Sequence, residues 1–165
     1  GGMFMVLKGS GPAVCIGDDI DTDLVIAGRY LRTKDWKVWA AHVFEDLDPT
    51  LADRLSGAVL VAGKNMGCGS SREQAARALV EAGVLAVIAP SFARIFFRNC
   101  INVGLPVLEC NLPECRDGEL VSFDCIEGWV MVHSMRYPVR PLSPRMQEIL
   151  QSGGMIEYWK RRLGQ

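Results

Sequence analysis

The stretch AVLVAGKNMGCGSSREQAARALVEAGVLAVIAP, residues 58–90, decides the fold. Its two ends are short apolar runs, 58–62 (AVLVA) after Gly57 and 84–89 (VLAVIA) before Pro90, each with the length and composition of a buried strand. Between them Ala75, Ala76, Leu79 and Val80 share one face of a helix predicted over 70–82, and Gly83 stands where a left-handed C-cap would close it. Strand, loop, helix and strand in that order build parallel sheets, because the helix carries the chain back across the sheet before the next strand begins.

Downstream, Ser91 is placed to cap a second helix through Phe92, Ile95, Phe96 and Asn99, which closes near Gly104 and leads into a third strand at 105–108. The alternation then changes. Residues 119–123 and 129–132 read as an antiparallel ribbon turning at Glu127-Gly128, and 146–163 as a C-terminal helix interrupted at Gly153-Gly154. The expected architecture is α/β, a mixed sheet flanked by helices. No repeat or linker divides the chain, so residues 3–165 are read as a single domain, with Gly1-Gly2 as a cloning remnant ahead of Met3.

With 49% hydrophobic residues, the chain can bury a sizeable core. Eighteen basic and 19 acidic side chains give a net charge of −1, with no basic run interleaved with aromatics, so no nucleic-acid partner is expected. Five apolar residues at 3–7 followed by Lys8 fall far short of a signal-peptide core or the roughly 20 residues a membrane span needs; a cytoplasmic location and no membrane partner are expected. Six cysteines form no CxxC pair, Cys110 and Cys115 lack a second pair, and the two histidines, His42 and His133, do not cluster with them, so no metal site is expected on this chain.

Chemistry concentrates at 63–74, GKNMGCGSSREQ, where a strand ends and a helix begins. Gly67 and Gly69 allow close backbone approach, Ser70 and Glu73 have capping-box spacing, and the unpaired amides of a helix start favour an anion. Arg72 can add a two-pronged grip on a carboxylate. A P-loop would need lysine after its glycines, whereas Lys64 precedes them, and the dinucleotide fingerprint lacks its third glycine; the ligand expected is therefore a small carboxylate, against the plainer reading of a capped helix after a glycine turn. Asp18, Asp19, Asp21 and Asp23 crowd into GDDIDTD, but the glycine and the acid of a calcium loop are missing, which leaves turn formation.

GCGSSRE, preceded by GDDIDTDLVIAGRYL (17–31) and followed by SFARIFFRNCINVGLPVLE (91–109), resembles the aconitase C-terminal domain in its free-standing form, the small subunit of two-chain hydro-lyases. The resemblance covers nearly the whole chain, in the family's order. It implies a swivelling β/β/α domain and the dehydration and rehydration of a malate-type dicarboxylate. Isopropylmalate in leucine biosynthesis is the first substrate it implies; homocitrate/homoaconitate and 2,3-dimethylmalate follow, and a dicarboxylate-binding module without activity is the reading from another class. It also implies a large-subunit partner holding a [4Fe-4S] cluster, none bound by this chain, and allows a homo-oligomer of the isolated subunit.

By motif position Ser70 would be the catalytic base, Ser71 and Arg72 substrate contacts, and Asp23 an active-site aspartate that orients other side chains. Tyr30-Leu31-Arg32-Thr33 would form a loop over the substrate, where Arg32 suits an extra carboxylate and an isopropyl group prefers an apolar wall. Gln74 departs from the histidine common in relatives. Arg94 and Arg98, one helical turn apart, could hold the large subunit or other carboxylates, surface charge being the plainer reading; Trp36, Trp39, Tyr158 and Trp159 are read as core or interface.

Overall fold

A computed structural model describes residues 7–112 and 114–164. The cloning-remnant reading of Gly1-Gly2 and most of the leading apolar run lie outside the described residues. The two strands that frame the sequence argument are β2 (Val59–Val61) and β3 (Ala86–Ala89), every residue of both buried, as expected when a parallel sheet is covered on both faces. They pair in parallel with each other, β3 pairs in parallel with β4 (Val107–Glu109), and β2 pairs in parallel with β1 (Lys8–Cys15). On the far side of β1 the sheet turns antiparallel through β5 (Leu120–Asp124), β6 (Trp129–Val132) and β7 (Met135–Pro138), giving seven strands in the order β4-β3-β2-β1-β5-β6-β7. The mixed sheet flanked by helices is as expected from the sequence.

The helices are α1 (Thr22–Val25), α2 (Trp36–Ala41), α3 (Glu73–Glu81), α4 (Arg94–Asn102), α5 (Pro144–Ser152) and α6 (Met155–Leu163). Leu60, Val87 and Val107 point to the face they cover, where Phe44, Leu79, Phe96 and Ile101 complete one core. The alternate residues Val59, Val61 and Ile88 point the other way and meet Val121 and Phe123 of β5 and Val130 of β6 in a second core, so the antiparallel half curls over the back of the parallel half. Two helices end as the glycines predict. Gly83 takes φ +90°, with its N–H on Val80 O and the Val84 N–H on Leu79 O, and Gly104 repeats the arrangement after α4. The expected break at Gly153-Gly154 also holds: Gly153 adopts φ +91° and separates α5 from α6.

Two helix starts differ from the sequence reading. Helix α3 begins at Glu73 with Arg72 at its N-cap and no side-chain cap, so Ser70 and Glu73 do not form a capping box. The cause lies far off in sequence: the Ser70 carbonyl, which would accept the first helical amide of a capping serine, instead accepts Thr22 Oγ1 at 2.6 Å. Helix α4 starts after Ala93, again uncapped, because the Ser91 hydroxyl accepts the Asn65 N–H at 2.8 Å instead. Both helices therefore present free N–H groups to the loops before them.

Candidate active site

The loop after β2 is zipped between two neighbours. On one side the Gly63 N–H donates to Gly17 O, Asp19 N–H to Lys64 O, Gly67 N–H to Ile20 O and Thr22 N–H to Cys68 O; on the other, Met66 N–H donates to Ser91 O and Ala93 N–H to Met66 O. The glycines are obligatory in this packing. Gly67 has φ +84° and a Cβ there would lie 2.1 Å from the Phe96 ring; Gly69 has φ +86° and a Cβ would lie 2.2 Å from Asp21 Oδ2.

Three of the four aspartates of GDDIDTD tie this region together. Asp18 Oδ1 accepts the Lys64 N–H at 2.8 Å, Asp19 Oδ1 accepts Asn65 Nδ2 at 3.0 Å, and Asp21 Oδ1 caps α1 through the Asp23 N–H at 2.7 Å. Among the described residues no three of His, Cys, Asp and Glu are gathered to hold a metal ion. The donor set does not fit an iron–sulfur cluster: Cys100, Cys110 and Cys125 are buried in the core, and burial, with Cys115 and Asp117 beside it, pushes the Cys15 thiol up to about 12. Cys68, in the loop itself, is also raised, by burial and then by Asp21 and Asp19.

A pocket of about 290 Å³ opens where the uncapped starts of α3 and α4 converge, lined by Ser70, Ser71 and Arg72 from one and Ala93, Arg94, Ile95 and Phe96 from the other, with Gly67, Gly69 and Thr22 behind. Thr22 is 1% exposed and holds the Ser70 backbone through its hydroxyl, while the Ser70 hydroxyl makes no hydrogen bond to the described residues. Arg72 Nη1 sits 2.8 Å from Asp23 Oδ1, and its guanidinium covers Gly28, where a Cβ would approach Nη1 to 3.3 Å. Nη1 is buried against Asp23, so the ion pair fixes the guanidinium beside the pocket that Arg72 lines. With Asp23 54% exposed, the pair contributes at most about 1 kcal/mol to stability, and its consequence is the placement of Arg72.

Ser70, Ser71, Arg72 and, through Arg72, Asp23 thus come together. Arg32 and Thr33 do not line the pocket: Arg32 is exposed on the turn before α2, and the Thr33 hydroxyl accepts the Asp35 N–H at 3.0 Å. Their segment is anchored by Trp39, whose Nε1 donates to Tyr30 O at 3.0 Å, and by Glu45, which accepts from Tyr30, His42 and Arg29. The sequence reading missed Thr22 as the latch on Ser70 and Arg94 as a pocket wall. The threonine between two aspartates was the available signal for the first; for the second, the lone basic residue at the start of α4 was.

A pocket made of helix-start amides, an arginine and a free serine hydroxyl can bind a carboxylate and hold a base beside it. Comparisons with known proteins show the family. The aconitase C-terminal domain family matches residues 19–112. The chain is similar to the 3-isopropylmalate dehydratase small subunit of Wolinella succinogenes, 48% identical over 153 residues, covering 90% of this chain and 92% of that one. It is also similar to the methanogen homoaconitase small subunit of Methanothermobacter thermautotrophicus, 45% identical over 89% of this chain and 88% of that one. In structure it resembles the crystal structure of 3-isopropylmalate dehydratase from Methanocaldococcus jannaschii, with a TM-score of 0.89, 42% identity, and 94% and 95% of the two chains covered.

Proposed function

The chain belongs to the aconitase C-terminal domain family, and on that premise we propose that it is the small subunit of a two-chain hydro-lyase that interconverts 2-isopropylmalate and 3-isopropylmalate in leucine biosynthesis. The observation that carries the reading is the meeting of Ser70, Ser71 and Arg72 at the open start of α3. The whole span 3–165 acts in it as one swivelling domain, and six free thiols suit a reducing, cytoplasmic compartment.

Dehydration of a malate-type diacid removes a proton from the carbon beside one carboxylate and a hydroxide from the neighbouring carbon. An iron–sulfur cluster, assigned here to the large subunit, supplies the Lewis acidity for the hydroxide. The proton falls to this chain. An ordinary serine hydroxyl is a very weak base, but the helix-start amides and Arg72 stabilise negative charge at the position Ser70 occupies. The same groups stabilise the enolate-like charge that builds on the substrate carboxylate as the proton leaves. Ser71 and Arg72 grip that carboxylate, and Asp23 keeps the guanidinium from swinging out. Rehydration runs the steps backward at the other carbon.

The homoaconitase relative makes homocitrate/homoaconitate the second reading, with Arg32 and Thr33 on the loop that would face the substrate side chain. The discriminating experiment is anaerobic reconstitution with the cognate large subunit and iron, measuring kcat/KM on isopropylmalate, homocitrate and 2,3-dimethylmalate. Isopropylmalate is expected to win by tenfold or more, about 1.4 kcal/mol of transition-state preference. A win for homocitrate would transfer the assignment and make Arg32 its carboxylate contact; no turnover with a verified cluster and complex would sink the enzyme reading.

A further inference from the structure

A second cavity, of about 360 Å³, opens beside the first between the start of α4, the end of β4 and the strap that leads into α5. Its charge is one-sided. Arg94 and Arg98 lie one helical turn apart, both exposed and neither paired with a carboxylate among the described residues, while Arg140, its side chain 78% exposed, reaches Glu109 at 3.5 Å. Three guanidiniums thus face one carboxylate on a chain whose net charge is only −1, so the patch is local rather than a by-product of a basic protein. Its floor is apolar: Phe92 and Phe97 meet edge to face at 5.3 Å, with Met146 beside them.

We propose that this cavity docks an acidic segment of the large subunit, one or two carboxylates reaching Arg98 and Arg140 ahead of an apolar side chain on the Phe92–Phe97 floor. The proposal rests on the two-chain reading above. Arg94 lines both cavities, so they open on one face, and Ile95, 54% exposed, is apolar surface at the rim of the first. In the two-chain reading the Ser70 pocket faces the partner that holds the cluster, and Arg98 and Arg140 open on the same side without lining that pocket. Charged and apolar elements side by side suit a protein segment: the carboxylates set approach and register, the apolar side chain slows dissociation.

The test is the equilibrium Kd of the full chain for the reconstituted large subunit, by calorimetry at two salt concentrations, for wild type, Arg98→Glu, Arg140→Glu and Arg98→Lys, with thermal melts to verify folding. Both glutamate variants are expected to raise Kd by about tenfold or more and to flatten its salt dependence. Arg98→Lys should fall between, and kcat at saturating small subunit should stay within about twofold, since neither residue lines the Ser70 pocket. Unchanged Kd and salt dependence would overturn the proposal, as would an effect confined to KM for the diacid, which would make the cavity a substrate site. So would a change only in self-association of the isolated chain, or no association of the wild-type pair. Tight wild-type association without turnover on any diacid would instead sink the functional reading and leave the docking result standing.

Discussion

Gly69 carries two independent constraints at one position, a φ of +86° and an approach of 2.2 Å between an added Cβ and Asp21 Oδ2. Gly69→Ala is expected to cost about 1–3 kcal/mol in a urea melt and to lower activity by more than the stability loss explains, because Asp21 caps the helix that carries Thr22 and Asp23. A melt within about 0.5 kcal/mol of wild type, with full activity, would show that the loop has other ways to close. At this scale the glycine loop and Arg72 in the first helical turn were legible as a place for a small anion, beside the plainer reading of a capped helix, whereas Ser70 and Ser71 were singled out by the resemblance to the aconitase C-terminal domain. The loss of the capping box was not legible, because the bond that displaces it comes from Thr22, 48 positions away. Spacing within a motif carries no record of such a partner. Thr33 shows a similar effect: its hydroxyl accepts the Asp35 N–H within its own turn, a local bond the motif does not announce.

Among the elements, the segment from the 3₁₀ turn Gly28–Tyr30 through α2 depends on Glu45. Hydrogen bonds from Tyr30 above all, then His42 and Arg29, hold its carboxyl down at about 2 from the ordinary 4.5, and the Tyr30 and His42 rings stack at 4.1 Å beside it. A carboxylate depressed in the folded state stabilises above its unfolded value and loses that contribution as pH falls toward the folded one. Melting temperature should therefore fall from about pH 4.5 to about pH 2. In calorimetry Glu45→Gln should melt lower at neutral pH but show a shallower acid decline, and an unaltered decline would remove Glu45 as its source. Most strands were legible from apolar runs and turn glycines, but β1, the sheet's central strand, was not. Its sequence KGSGPAVC lacks a strand pattern. Gly11 is there because an added Cβ would lie 2.3 Å from Gly57 O, and Pro12 stands where β1 passes from the antiparallel ladder of β5 to the parallel ladder of β2. Close packing and a change of partner chose those residues, and both are tertiary.

For the molecule as a whole, the proposed division of labour between two chains accounts for the shape of the site. In the proposed reading, the two uncapped helix starts and the unengaged Ser70 hydroxyl would form one half of a composite site. The α/β class and the mixed sheet were legible from alternation alone; the curl that closes the second core over the antiparallel half was not, because apolar alternation in β5 and β6 says which face is buried but not against what. The central claim is that this chain contributes the proton-abstracting serine. The measurement that tests it most directly is kcat of the reconstituted two-chain enzyme with Ser70→Ala in place of wild type, at small-subunit concentrations shown to saturate the large subunit. The account predicts unchanged association and a loss of about 10²–10⁴-fold in kcat; a variant that binds and turns over within a few-fold of wild type would contradict it.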